Sequence, residues 1–328
     1  MKFRTEIDIE KSPYPIEHDK NILTIGSCFA QNIGEYFNHY RFNIMGNPYG
    51  VLYNPVSIFN SFKLVLDKKE FTQRDLIEAN GEWHSFYHHS DFSHHEPNIC
   101  LDKINSGLKA TTDFLNNSEL VIITYGTAYV YRNIEQDIVV SNCHKIPAKD
   151  FERNRLSLIE TKKTIEQTIN LLKTINENIR IIFTVSPVRH WKDGAANNQI
   201  SKSTLLLAIN DVIKTHKNCE YFPSYEIIMD DLRDYRFYNS DLLHPNRIAT
   251  DYIWEKFSKA MLSDNCLSIM NEVEKIVKSR EHKVRNVKSK NHQAFIKTNI
   301  KKIITLQKKH THLNLGEDES FFNNQLLK

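Results

Sequence analysis

The feature that most constrains this chain is a set of short, uninterrupted apolar runs: "ILTIG" (22–26), "LVIITYG" (120–126) and "IRIIFTVSP" (179–187). None alternates polar with apolar residues. A strand with one wet face would alternate, so runs of this kind fit strands covered on both faces, as in a parallel sheet between helices. Two weaker runs, "FNIMG" (42–46) and "CEYFPS" (219–224), read the same way. Helical patterns lie between them. "RLSLIETKKTIEQTINLLKTI" puts Leu158, Thr161, Ile165, Ile169 and Leu172 on one face and its charges on the other. "KSTLLLAINDVIKTHK" precedes the last run and "NRIATDYIWEKFSKAML" follows it. Strands alternating with helices imply βαβ units. Right-handed crossovers then gather the functional loops at the C-terminal ends of the strands. The expected fold is a three-layer, flavodoxin-like α/β domain with a mostly parallel sheet over residues 1–265, followed by a helical extension over 266–328. The stretch from about 47 to 118 separates the second and third strands. It holds an amphipathic helix and an aromatic, His-rich loop, and is expected to form a lid.

Bulk numbers exclude several classes. With 40% apolar and 25% charged residues the composition is globular, and a net charge of +3 does not call for a nucleic-acid partner. No stretch approaches the roughly 20 apolar residues of a membrane span. The opening "MKFRTEIDIEKSPYPIEHDK" lacks the apolar core of a secretory signal, so a cytoplasmic setting is expected. Cys28, Cys100, Cys143, Cys219 and Cys266 are odd in number and lack a C-x-x-C spacing, which argues against a disulfide framework and a zinc knuckle. Residues 271–310 carry twelve Lys and Arg, Arg285 among them, against three Glu, with Ile296, Ile300 and Ile303 at helical spacing. This reads as one or two basic amphipathic helices and then a polar tail. Packing on the domain is the default; a weak contact with an anionic membrane or acidic polymer is the next reading.

A serine hydroxyl becomes a nucleophile when a base takes its proton and a third group orients that base. Ser27 closes the first strand, at the turn into a helix. "NSDLLHPN" places Asp241 three residues before His244, in a polar loop after the last strand. Such a turn can bring the carboxylate back to the imidazole Nδ1 and leave Nε2 free. Each half has a plain alternative: Ser27 in a tight turn, Asp241 as a turn cap, Pro245-Asn246 as a helix start. Cys28, one position into the helix, reads more simply as a small buried residue than as the nucleophile. His84, His88, His89, His94 and His95 invite a metal reading, but the adjacent pairs diverge in an extended segment. Surface or pocket-rim histidines are expected instead, with His84 or His89 at the substrate mouth.

Gly26-Ser27-Cys28-Phe29-Ala30 spells the signature of the GSCFA domain family, and "NPYGVLYNP" (47–55), "ITYGTAYVYR" (123–132), "TVSPVRH" (184–190) and "SDLLHPN" (240–246) agree with it. The chain resembles that family over roughly residues 20–262, and through it the SGNH/GDSL hydrolases. The resemblance implies a serine esterase with Ser27 as nucleophile, His244 as base and acid, and Asp241 as its partner. Carbohydrate O-acetyl esters are the first substrate class it suggests, with no metal or nucleotide cofactor. An O-acyltransferase or a catalytically degenerate binding module are the alternatives. It also implies an oxyanion hole made by the serine N–H, a glycine N–H at Gly50 and an asparagine side chain after the third strand. There the sequence departs: Gly126-Thr127-Ala128-Tyr129 has no asparagine. The substitutes in view are Thr127, Asn54 and the pair Arg189-His190; Thr127 reads equally as a turn residue and Asn54 as a helix cap before Pro55.

Overall fold

The computed structural model describes residues 4–283 and 286–327, so the Arg285 counted in the basic segment lies outside the described residues. The chain divides into two compact units. The first comprises residues up to Asp8, Asn21–Gly34 and Ile44–Glu255; the second comprises Ile9–Lys20, Glu35–Asn43 and the chain from Lys256 onward.

The first unit is built on a five-stranded sheet. Its strands are β1 (Asn21–Gly26), β2 (Asn43–Gly46), β3 (Leu120–Tyr125), β4 (Arg180–Val185) and β5 (Cys219–Phe222), in the spatial order β2-β1-β3-β4-β5. That is the flavodoxin-like winding 2-1-3-4-5. β1 runs parallel to β3 with Leu23 opposite Val121 and Gly26 opposite Thr124, and β3 runs parallel to β4 with Ile122 opposite Ile182. β4 and β5 are parallel with Phe183 opposite Tyr221. Every residue of β3 is buried, as an all-apolar run requires.

Helices α1 (Cys28–His39), α2 (Pro55–Leu66), α3 (Pro97–Asn116), α4 (Leu158–Ile175), α5 (Gly194–Ile213) and α6 (Arg247–Met261) connect and flank the strands. α4 begins at a capping box: the Ser157 hydroxyl accepts the Glu160 N–H at 3.2 Å while the Glu160 carboxylate accepts the Ser157 N–H at 2.8 Å. Its apolar face, Ile165, Ile169 and Leu172, joins Leu23, Ile25, Val121 and Ile181 in the main core. The expected lid is corrected here. Ile58 and Phe62 of α2 and Ile104 and Leu108 of α3 belong to that same core, so the two helices of residues 47–118 form a layer on the sheet. A three-stranded antiparallel sheet (Tyr129–Asn133, Ile138–Val140, Phe151–Arg155) intervenes between β3 and α4 with a small apolar cluster around Phe86, Val140 and Phe151.

The second unit holds α7 (Asp264–Glu281), α8 (Lys290–Lys309) and α9 (Gly316–Asn323). Ile269, Val273 and Ile276 of α7, Ile296 and Ile303 of α8, and Phe322 of α9 form its own core. The expected polar tail is therefore a packed helix. Asp318, fully buried on α9, receives the Arg41 guanidinium through two bonds of 2.8 Å and Arg280 at 2.7 Å. Burial pushes the Asp318 carboxyl up, but these two arginines outweigh it and hold it below its ordinary value. Among the described residues no helix is long and apolar enough to cross a membrane.

Candidate active site at the C-terminal sheet edge

β1 ends where Gly26 adopts φ +135°, and a Cβ there would lie 2.1 Å from the Thr124 carbonyl oxygen. Only glycine permits that approach, so Gly26 fixes where the strand turns. The loop after β2 locks the turn from the other side. Asn47 Oδ1 accepts the Gly26 N–H at 2.9 Å, and the Leu52 N–H donates to the Gly26 carbonyl at 2.9 Å. The Tyr53 carbonyl accepts the Gly126 and Thr127 N–H groups at 2.7 and 3.0 Å, which ties the same loop to the end of β3.

Ser27 is the last residue before α1. Its N–H continues the sheet by donating to the Thr124 carbonyl at 3.1 Å, its hydroxyl accepts the Phe29 N–H at 3.3 Å, and it is 1% exposed. Ser27 thus caps the helix as well as ending the strand. Cys28 opens α1 and is partly exposed. Burial raises its thiol, against the lowering influence of the Phe29 and Cys28 N–H groups and of Lys202. The α1 N-terminus therefore holds the thiol among backbone donors and a nearby ammonium.

Lys202 is the residue that the sequence hides. In "SKSTLLL" it reads as a solvated helix position, yet it is 1% exposed, and its Nζ donates to the Gly126 carbonyl at 2.8 Å and the Ser186 carbonyl at 2.7 Å. It bridges the loops that leave β3 and β4. Burial lowers it to about 7, with Cys28 opposing and Arg189 reinforcing the shift.

The second group of candidate residues lies in the loop 237–246. Asp241 Oδ2 lies 2.6 Å from His244 Nδ1, while Asp241 Oδ1 accepts the Leu243 and His244 N–H groups at 2.9 and 3.0 Å. Those backbone bonds, followed by the His244 side chain, hold the carboxyl down at about 2. The loop is closed on itself: Asn239 N–H donates to the His244 carbonyl at 2.8 Å and Asn246 N–H to the Phe237 carbonyl at 2.9 Å. Leu242, between Asp241 and His244, sits at φ +61°, a strained setting for a side chain of that size. The His244 side chain is 47% exposed.

Arg189 and His190, after β4, line two different cavities. His190 lines one of about 560 Å³ together with Tyr53, Asn54, His89 and Thr127. Its imidazole meets Tyr53 edge-on, at 5.4 Å and 90°, and is lowered to about 4 by burial first, then by Lys202 and His244 against Asp193. It is neutral at neutral pH. Arg189 and Asp241 line the other cavity, of about 510 Å³.

The structure brings Asn54, Thr127, His89 and His190 to one cavity, but the expected oxyanion donors already have partners. Ser27 N–H serves Thr124, and Gly50 N–H donates to the Asn47 carbonyl at 2.8 Å. Asn54 caps α2, accepting the Ser57 N–H at 2.8 Å and donating to the Ser57 hydroxyl at 3.0 Å. The Thr127 hydroxyl pairs with Ser201 at 3.0 Å and accepts the Tyr129 N–H at 3.1 Å, while Ser201 also takes the Ala128 N–H at 2.8 Å. Gly50 has a second duty: at φ +74° it leaves room for His89, whose Cβ lies 2.2 Å from where a Gly50 Cβ would be. His84, expected at the mouth, is buried, with Nδ1 2.6 Å from the Ser93 hydroxyl and Nε2 3.0 Å from the Ala79 carbonyl. His88 is also buried, 2.9 Å from the Ser85 hydroxyl.

With this geometry in place, the comparisons with known proteins are decisive at the family level. The profile of the GSCFA family matches residues 21–257. The chain belongs to the GSCFA family. A second profile, the C-terminal domain of GSCFA domain proteins, matches residues 273–328, which cover the second half of α7 with α8 and α9. No curated protein matches the chain. In this GSCFA protein the signature glycine, serine and cysteine have separate roles. The glycine makes a turn that only glycine can make, the serine is a buried helix cap, and the cysteine presents a partly exposed thiol.

Proposed function

We propose that the protein is an acyl-ester hydrolase working through a covalent acyl-enzyme at the Gly26-Ser27-Cys28 turn. The observation that carries this reading is the Asp241–His244 pair: a 2.6 Å contact at Nδ1, a carboxylate held by two backbone N–H groups, and an imidazole about half exposed. An imidazole oriented in this way takes a proton from a nucleophile and returns it to a leaving group. In the serine form of the reaction, Ser27 Oγ bonds to the ester carbonyl carbon and its proton passes to His244 Nε2. The tetrahedral intermediate collapses, the C–O bond of the ester breaks, and the departing alcohol takes the proton. Water then repeats the sequence on the acyl-serine. Asp241 stabilises the imidazolium throughout. Carbohydrate O-acetyl esters are the first substrates to test, and a sugar hydroxyl in place of water makes the same site an acyltransferase. Release of p-nitrophenol from p-nitrophenyl acetate tests the reading: His244→Ala lowers the rate by about 10² or more. Equal rates in wild type and His244→Ala overturn it and leave a binding module.

One observation favours a second reading of the nucleophile. Ser27 is 1% exposed and its hydroxyl is engaged as a cap, whereas Cys28 is partly exposed beside Lys202. In this form Cys28 Sγ makes the bond to the carbonyl carbon and the intermediate is a thioester. Its thiol is raised, so it too relies on a base. A fluorophosphonate probe and iodoacetamide, each followed by peptide mapping, separate the two: label on Ser27 supports the serine form, while ester-protectable alkylation of Cys28 supports the thiol form.

A further inference from the structure

The cavity of about 510 Å³ beside the dyad has an uneven wall. Trp191, Tyr238, Ile228 and Leu242 make it largely apolar, and Asp241 places it next to His244. Ile228 comes from a π-helical segment, Ile227–Asp231, a wide turn that recurs at functional sites. The charges at the rim are mostly satisfied. Arg233 pairs with Asp230 at 2.9 Å, Asp234 with Arg236 at 3.5 Å, and Asp241 with His244 at 2.6 Å.

Arg189 is the exception. Among the described residues no carboxylate lies within ion-pair distance of it, and its Nε is buried without a hydrogen-bond partner. The guanidinium carbon lies 5.2 Å from the centre of the Trp191 ring, within cation–π range of the aromatic face. A buried donor on a cation is expensive to leave unmatched, and a planar guanidinium is shaped for a two-oxygen anion. Apolar walls around a single oriented cation select a ligand with a hydrocarbon or aromatic body and one carboxylate.

We infer that this cavity binds a carboxylate-bearing arm of the substrate, with Arg189 receiving the carboxylate and Trp191, Tyr238, Ile228 and Leu242 packing its apolar body. The substrates are then esters that keep a free acid, such as half-esters of dicarboxylic acids. The inference rests on the acyl-ester reading for its chemistry but not for its binding claim.

Two esters of equal length separate the claims. p-Nitrophenyl hemiglutarate ends in a carboxylate, and p-nitrophenyl pentanoate ends in a methyl group. The 328-residue chain is expected to favour the hemiglutarate at least tenfold in kcat/KM, mainly through KM, and Arg189→Gln brings the ratio of the two esters to about one. Arg189→Lys recovers part of the preference, because it keeps the charge but loses the fork. A wild-type ratio near one, or a preference that survives in Arg189→Gln, overturns the inference. If neither ester turns over, the acyl-ester reading fails, and the binding claim is read from thermal shifts. 3-Phenylpropionate is then expected to raise the melting temperature of the wild type, 3-phenylpropionamide to leave it unchanged, and Arg189→Gln to lose the response. Equal shifts with acid and amide, or an undiminished shift in Arg189→Gln, contradict it.

Discussion

The two halves of the candidate site are positioned by opposite means. The Gly26-Ser27-Cys28 turn is held by the core: Thr124 beneath it, Asn47 and Leu52 beside it, Lys202 bridging the loops next to it. The 237–246 loop is held by itself, through the Asn239–His244 and Asn246–Phe237 backbone bonds and the Asp241 turn, while the Asp241 and His244 side chains are about half exposed. In the first half, structure and chemistry cannot be altered separately. In the second, the chemistry can be removed while the fold stays, because little apolar area depends on Asp241 or His244.

The widest separation is expected at Gly26. Gly26→Ala puts a methyl group 2.1 Å from a backbone oxygen at a φ that side chains avoid, and is expected to cost more than about 4 kcal/mol. Soluble yield and urea unfolding measure it, and a midpoint near wild type contradicts the core-held turn. Asp241→Asn comes next. It is expected to lower kcat by about 10² to 10⁴ while changing stability by less than about 1 kcal/mol. Because Asp241 stays ionised down to about pH 2, the acid limb of the wild-type rate profile is not its titration. A urea midpoint that falls with the activity would show that the loop is not self-supporting.

Lys202 sharpens the comparison through pH. Its ammonium is lowered from 10.5 to about 7, so between those values the unfolded chain binds a proton that the folded chain does not. Stability from this group is therefore gained as pH rises across that window. Urea midpoints at pH 7 and pH 9.5 are expected to show the gain in wild type and its loss in Lys202→Met; identical slopes in both exclude it. The smallest effect is expected at Leu242→Gly, where relief of the φ +61° strain and the added freedom of the unfolded chain nearly cancel, to within about 1 kcal/mol.

The two halves also differed in how much the sequence revealed. The apolar runs announced a parallel sheet covered by helices because β1, β3 and β4 are buried on both faces, and the three-residue spacing of Asp241 and His244 is a local property that survives folding unchanged. What stayed hidden depends on long-range placement. Lys202 is buried only because the carbonyls of Gly126 and Ser186 converge on it. The side-chain assignment at 27 and 28 turns on one hydrogen bond, Ser27 N–H to Thr124, which carries the strand one residue further and makes the serine a cap. The sheet at 129–155 was missed because its strands are short and its charged residues interrupt any apolar run. Asp318 looked like tail and became the buried anchor of a helix through Arg41, 277 residues away.

The turn and the dyad are proposed to act together in one covalent reaction. The most direct measurement is rapid quenching of the 328-residue chain with p-nitrophenyl acetate, followed by peptide mass mapping, in wild type and His244→Ala. An acetyl group is expected on residue 27 or 28 of the wild type, with its formation slowed by about 10² or more in His244→Ala. No acetylation at either residue, or acetylation equally fast without His244, would contradict the joint action of turn and dyad.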